Sequence, residues 1–190
     1  MVYPQDQREA MAHFRGVAEA TDLPIMIYNN RVAYKVDLTP ESFVELSDVD
    51  NIIAVKESSH DSRRITDMYN ACKDRYQMFC GVDDLVLENV LFGAQGWVAG
   101  LVNSFPKESV RLFELAREGR VDEALEIYRW FMPLLHLDVD VKLVQMIKLA
   151  NQIAGEGSEW VRRPRLTLEG EERRMVAELV ETAIVNRPNL

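Results

Sequence analysis

A chain of 190 residues, 47% of them hydrophobic, is long enough to bury a substantial core and is not composed like a disordered segment. Its net charge of -9 argues against electrostatic attraction to nucleic acid or to an anionic membrane surface. No opening stretch resembles a signal peptide and no apolar run nears the roughly 20 residues needed to cross a bilayer, so a soluble cytoplasmic protein is expected.

In chain order, Asp6 to Ala20 reads as an amphipathic helix with Met11, Phe14 and Val17 on one face. An apolar run, Ile25 to Asn30, follows as a strand. Pro40 to Asp48 reads as a helix, with Thr39 at its N-cap and Pro40 at its first position. Ile52 to Lys56 is the second strand. Asp61 to Asp74 is the next helix, with Ile65, Met68, Tyr69 and Cys72 as its buried stripe. Tyr76 to Cys80 is a third strand, Asp84 to Phe92 a helix closed by Gly93, and Trp97 to Val102 a fourth strand.

These runs recur at roughly 20 to 26 residues, the spacing of βα units. They are short and almost wholly apolar, so both sheet faces should be covered, which points to parallel strands joined by helices. After Asn103 the pattern is helical throughout: Pro106 to Glu118, Val121 to Leu137, Val141 to Ala154 and Glu169 to Val185. The expected organisation is a βα part over 1–103 and a helical region over 104–190 that packs on it. The basic cluster Arg162-Arg163-Pro164-Arg165 reads as a solvated turn before the last helix.

Two polar residues close apolar strands. Lys56 ends Ile52-Ile53-Ala54-Val55-Lys56, and Tyr28 ends Ile25-Met26-Ile27-Tyr28. Alternation puts Met26 with Tyr28, and Ala54 with Lys56, on one face, while Ile27 and Val55 pack against helices. Ligand sites of parallel α/β folds form at strand carboxyl ends, where both residues fall. Low-dielectric surroundings favour a neutral lysine amine able to attack a carbonyl, with the tyrosine as proton shuttle. The plain alternatives are a strand-end lysine reaching solvent and a core tyrosine with its hydroxyl at a loop.

Other chemistry is thinly supported. Cys72 and Cys80 lack metal-ligand or redox-motif neighbours and read as reduced structural thiols. Asp83 and Asp84 read as helix N-capping residues rather than metal ligands. His13, His60 and His136 are too dispersed for a zinc site or a triad. Gly93-Ala94-Gln95-Gly96 precedes a strand, the reverse of a phosphate loop, so no nucleotide cofactor or metal is expected.

At this point the chain resembles the dihydrodipicolinate synthase and N-acetylneuraminate lyase family over essentially its whole length. The matching pieces are Ala20-Thr21-Asp22-Leu23-Pro24 leading into Tyr28-Asn29, then Val55-Lys56-Glu57-Ser58-Ser59, Gly81-Val82-Asp83-Asp84, Gly93-Ala94-Gln95-Gly96-Trp97 and Val102-Asn103. The resemblance implies a (β/α)8 barrel with C-terminal helices, of which this chain supplies strands five to eight, so the natural protein is expected to be longer. It also implies an imine between pyruvate, or a related 2-oxo acid, and Lys56, with Tyr28 moving protons. Gly81 and Val98 match positions lining the pocket near the keto acid. No cofactor is implied, and a homo-oligomer, usually a tetramer, is expected at full length.

Departures narrow the substrate. The usual Tyr-Asn-x-Pro is here Tyr28-Asn29-Asn30-Arg31, which leaves the geometry of the following loop open. Members that make dihydrodipicolinate carry an arginine where this chain has Ala33, which argues against lysine biosynthesis. The tyrosine those members lend to a neighbouring subunit falls near Val2, or at Tyr3 if the register slips by one.

The Tyr-Asn-Asn form, Lys56-Glu57-Ser58-Ser59 and Val161-Arg162-Arg163-Pro164-Arg165-Leu166 are similar to 1-pyrroline-4-hydroxy-2-carboxylate deaminases. A pyrroline carboxylate is then the expected substrate. Aldol cleavage of a keto sugar acid, pyruvate aldol chemistry and 4-hydroxy-tetrahydrodipicolinate synthesis keep the same lysine imine. From another class, an inactive half-barrel could serve as a binding or assembly module through helical stripes such as Leu112, Leu115, Leu125, Tyr128 and Phe131.

Overall fold

The computed structural model describes residues 6–189. They fall into two compact units, one running up to Val98 and one from Ala99 onward.

The first unit opens with α1 (Gln7–Glu19). Asp6 Oδ1 accepts from the Glu9 N–H at 2.9 Å while Glu9 Oε2 accepts from the Asp6 N–H at 3.0 Å, a reciprocal cap that fixes where the helix begins. Ala10, Met11 and Ala18 are buried, but Val17, expected on the same face, is exposed. It sits roughly 120° around the helix from Met11.

Four parallel strands follow in the order β1 (Ile25–Asn29), β2 (Ile52–Glu57), β3 (Gln77–Cys80) and β4 (Gly96–Trp97). Helices α3 (Pro40–Glu45), α4 (Arg63–Cys72) and α5 (Val86–Leu91) connect them, so the βα reading of the apolar runs holds. Ile27, Val55, Met78 and Cys80 are buried on the helix-covered face. The expectation that both faces are covered fails on the other one, where Met26 is 41% and Tyr28 38% exposed. A bulge between Ile25 and Met26 skips Ile53 in the pairing and turns it outward.

Several boundaries differ from the sequence expectation for local reasons. β4 stops at Trp97 instead of continuing to Val102, because its neighbour β3 ends at Cys80. The last ladder bond runs from the Val98 N–H to the Cys80 carbonyl at 2.9 Å, and Leu101–Asn103 forms a 3₁₀ turn. Three helices end in 3₁₀ turns, at Leu46–Asp48, Lys73–Arg75 and His136–Asp138. Tyr69 leaves the expected buried stripe of α4 and is 52% exposed, at the rim of a groove shared with Lys73, Leu91 and Phe92. One element was not anticipated: α2 (Arg31–Tyr34), a single turn whose Ala33 N–H is capped by Asn30 Oδ1 at 2.9 Å.

The second unit contains α6 (Pro106–Arg117), α7 (Val121–Leu135), α8 (Leu143–Ala154) and α9 (Gly170–Val185). Phe105 meets Trp130 and Phe131 edge-on at 5.9 and 5.8 Å, and Trp130 Nε1 donates to the Ala183 carbonyl at 3.0 Å, tying α7 to α9. Leu112, Leu115, Tyr128 and Phe131 are buried and Leu125 half-buried, so these stripes form core within the unit. Gly119 and Gly155 end α6 and α8 with φ of 73° and 81°, a region costly for residues with a Cβ. Arg162 to Arg165 form an exposed turn. No helix among the described residues is long and apolar enough to cross a membrane.

Candidate active site

Parallel pairing sets Tyr28 opposite Lys56 and Asn29 opposite Glu57 at the carboxyl ends of β1 and β2. The ladder runs one step further, with the Ser58 N–H donating to the Asn29 carbonyl and the Gly81 N–H to the Glu57 carbonyl, both at 2.9 Å. The strand ends are therefore in line. Lys56 Nζ lies 4.1 Å from the centre of the Tyr28 ring, over its face, where the ring quadrupole attracts the ammonium. Lys56 itself is half-buried. Tyr28 is braced edge-on by Tyr34 at 5.4 Å, and its hydroxyl accepts from Asn30 Nδ2 at 2.9 Å.

The four residues singled out by the sequence are not equally close. A Cβ built on Gly81 would stand 2.7 Å from Lys56 Cε and 2.8 Å from Cγ, so this glycine clears the path of the lysine stem. Val98 is 40% exposed just past β4, two strands away from β2. Ala33 lies in α2, and Arg31 of the same turn reaches Asp37 at 3.9 Å. Val2 and Tyr3 lie outside the described residues.

Behind the pair, on the helix-covered face, lies a network that the sequence reading did not single out. Asn29 and Glu57 are both buried, and Asn29 Nδ2 donates to Glu57 Oε2 at 2.9 Å. The same amide donates to the Leu38 carbonyl, and its Oδ1 accepts from the Leu38 N–H, each at 3.0 Å. Glu57 Oε1 accepts from the Ser59 N–H at 2.8 Å. Burial pushes the Glu57 carboxyl above its ordinary value, against the opposing pull of these hydrogen bonds and of Arg64. The available signal was the polar residue following each strand-end candidate, Asn29 after Tyr28 and Glu57 after Lys56. Ser58 Oγ is buried beside them with no hydrogen-bond partner among the described residues.

Asp83 and Asp84 do not cap a helix. They lie within a 3₁₀ turn, Asp83–Leu85, whose cap position is Val82. The fully buried Asp83 instead accepts from Trp97 Nε1 at 3.1 Å, joining the loop after β3 to β4.

Consecutive parallel strands, connecting helices, and a lysine and tyrosine facing each other at the strand ends define an α/β protein with a strand-end amine. The chain belongs to the dihydrodipicolinate synthetase family, whose sequence profile matches residues 2–183. It is 30% identical over 180 residues to 4-hydroxy-tetrahydrodipicolinate synthase 2 of Halalkalibacterium halodurans, covering 94% of this chain and 62% of that protein. It is 35% identical over 177 residues to the 4-hydroxy-tetrahydrodipicolinate synthase of Exiguobacterium sibiricum, covering 93% of this chain and 59% of that one.

Among solved structures, the dihydrodipicolinate synthase of Aquifex aeolicus superposes with a TM-score of 0.87 at 26% identity, over 97% of this chain and 64% of that one. A prophage protein of the same family from E. coli K12, solved in complex with pyruvate, gives a TM-score of 0.87 at 25% identity, over 96% and 63%. The fold is thus the corresponding part of a (β/α)8 barrel with its helical extension. The chain spans less than two thirds of the length of these relatives.

Proposed function

We propose that Lys56 is the nucleophile of a lyase that forms an imine with a 2-oxo acid or a cyclic imine, and that Tyr28 carries protons during the reaction. The observation that supports this is the approach of Lys56 Nζ to 4.1 Å from the Tyr28 ring at the ends of adjacent parallel strands. The neutral amine attacks the carbonyl or imine carbon. Loss of water, or ring opening with the ring nitrogen leaving as an amine, yields an iminium that stabilises negative charge on the adjacent carbon. Gly81 and Val98 line the space for the keto acid in this reading. The Tyr28 hydroxyl, held by Asn30, sits at the ring edge for proton exchange once substrate has drawn the amine off the ring face.

For the substrate we favour a pyrroline hydroxycarboxylate, with one water eliminated from the ring-opened imine, a second water added to release ammonia and a third to hydrolyse the product off Lys56, the reaction of a 1-pyrroline-4-hydroxy-2-carboxylate deaminase. Ala33 offers no cation for a second acidic substrate, and the nearby Arg31 is directed at Asp37. The second reading, 4-hydroxy-tetrahydrodipicolinate synthesis, draws on the names and identities of the relatives.

Borohydride reduction in the presence of pyruvate and, separately, of the pyrroline, followed by peptide mapping, tests both. An adduct on Lys56 that disappears in Lys56→Ala is the expected result. Turnover of the pyrroline without condensation of pyruvate with an aldehyde supports the deaminase, and the opposite outcome supports the synthase. If neither this chain nor a full-length version labels while both are folded, the imine reading is overturned in favour of a binding module.

A further inference from the structure

The side chains that face away from the candidate site are as ordered as those that face it. Strand alternation sends Tyr28 and Lys56 to the open face, and Asn29 and Glu57, their immediate neighbours, to the buried one. A surface or loop carboxylate would have needed no such setting. Glu57 is buried beside the candidate nucleophile, and one of its oxygens is committed to the Asn29 amide at 2.9 Å while the other takes the Ser59 N–H at 2.8 Å. Asn29 in turn is fastened to both the N–H and the carbonyl of Leu38. Arg64, whose guanidinium reaches Asp37 Oδ2 at 2.8 Å and the Leu38 carbonyl at 3.4 Å, and Asp37, 3.3 Å from the Asn29 amide, complete the charged surroundings.

The geometry points to Asn29 and Glu57 as positioning residues, a cross-strand amide–carboxylate bridge that holds Lys56 over Tyr28 from the opposite side of the sheet. This rests on the reading of Lys56 as the imine-forming amine. A buried carboxylate costs solvation, and a pair of apolar residues would fill the same space without that cost. What an apolar pair cannot do is fix the longitudinal register of two strand ends to a single hydrogen-bonded geometry. A slip of about 1 Å between β1 and β2 shifts the amine relative to the Tyr28 hydroxyl, and misplacements of that size lower rates by up to roughly a hundredfold.

The test uses Asn29→Asp, Glu57→Gln and the double variant, each checked for folding by circular dichroism. Two measurements are made: the ring-current displacement of the Lys56 side-chain methylene signals by Tyr28, and the rate of borohydride trapping with pyruvate. Asn29→Asp opposes two carboxylates, and it should abolish the displacement and slow trapping by roughly tenfold to a hundredfold. Glu57→Gln keeps an acceptor for Asn29 and should retain both. The double variant restores one amide–carboxylate bond between the strands but leaves position 29 without a donor for the Leu38 carbonyl, and it should recover part of the displacement and of the rate lost in Asn29→Asp.

If Asn29→Asp does not fold, the double variant carries the test, and failure of a folded double variant to label overturns the proposal. An Asn29→Asp variant that folds with unchanged displacement and rate also overturns it, as does a displacement that is lost with no change in rate. A wild-type protein that shows the displacement but never labels at Lys56 marks instead the failure of the imine reading, on which the positioning role depends.

Discussion

Lys56 occupies the space that a side chain on Gly81 would need. A methyl group there would approach Cε to 2.7 Å and Cγ to 2.8 Å, and would come closer still to Ser58 Oγ. Gly81→Ala is therefore expected to displace the lysine, with a loss of about 1–3 kcal/mol in stability from overpacking. Trapping at Lys56 should fall by roughly tenfold or more. Urea unfolding and the borohydride rate check both effects, and an unchanged rate in a folded variant would show that the stem can bypass the methyl group.

Glu57 gives the chain a stability that depends on pH with an uncommon sign. Burial raises its carboxyl above the ordinary value of 4.5, so the folded chain holds this proton more tightly than the unfolded chain. The contribution is complete below the unfolded value and is lost as pH rises through the folded one. Relative to Glu57→Gln, the wild type should lose stability as pH climbs from the ordinary value of 4.5 through the raised folded one. Chemical denaturation across that range measures the difference. A gap that stays constant or moves in favour of the wild type contradicts the burial argument.

Arg75 serves as a carbonyl clamp. Its guanidinium donates to the carbonyls of Ser47, Ile52 and Val49 at 2.9, 2.9 and 2.7 Å, joining the turn after α3 to the start of β2. Arg75→Ala should cost about 1–3 kcal/mol, because three carbonyls lose a charged donor. Arg75→Lys should rescue little of this, since one ammonium cannot reproduce the planar fork. Equilibrium unfolding of the two variants provides the check.

The thiols should differ in reactivity. Burial pushes Cys80 up to about 12, and its Sγ is held between the Asn89 amide at 3.0 Å and the Val82 carbonyl at 3.2 Å. Cys72 is raised less and is only half-buried. A disulfide-exchange reagent at neutral pH should modify Cys72 first and reach Cys80 only on unfolding. Equal rates for the two thiols in the folded chain would contradict this order.

Within the helical unit, Phe131 is fully buried, stacked on Trp130 at 5.1 Å and edge-on to Phe105. Phe131→Ala should cost about 3–5 kcal/mol through lost burial and the cavity left behind. Thermal unfolding followed by tryptophan fluorescence, to which Trp130 contributes with Trp97 and Trp160, measures the loss.

Much of this architecture is legible in one dimension. Apolar runs such as Ile25 to Tyr28 and Ile52 to Lys56 mark strands, Gly119 and Gly155 mark helix ends, and the βα spacing implies parallel pairing. These are local properties: the burial preference of each side chain, its repeat along the chain, and the few residues able to adopt a positive φ. The same locality explains why the sequence drew attention to Lys56 and Tyr28, polar residues that close apolar strands.

What periodicity cannot carry is which distant residues meet and at what distance. The short α2 turn depends on one Asn30 cap, β4 ends where β3 ceases to offer partners, and Tyr69 lies at the rim of a groove that Leu91 of α5 also lines. Gly81 reads as a pocket residue in the sequence, and only packing shows that the lysine stem passes over it. The Asn29–Glu57 bridge likewise exists only once the parallel register has set Tyr28 beside Lys56. Burial preference is a property of each residue, whereas register, close approach and shared hydrogen bonds are properties of pairs that only the folded chain brings together.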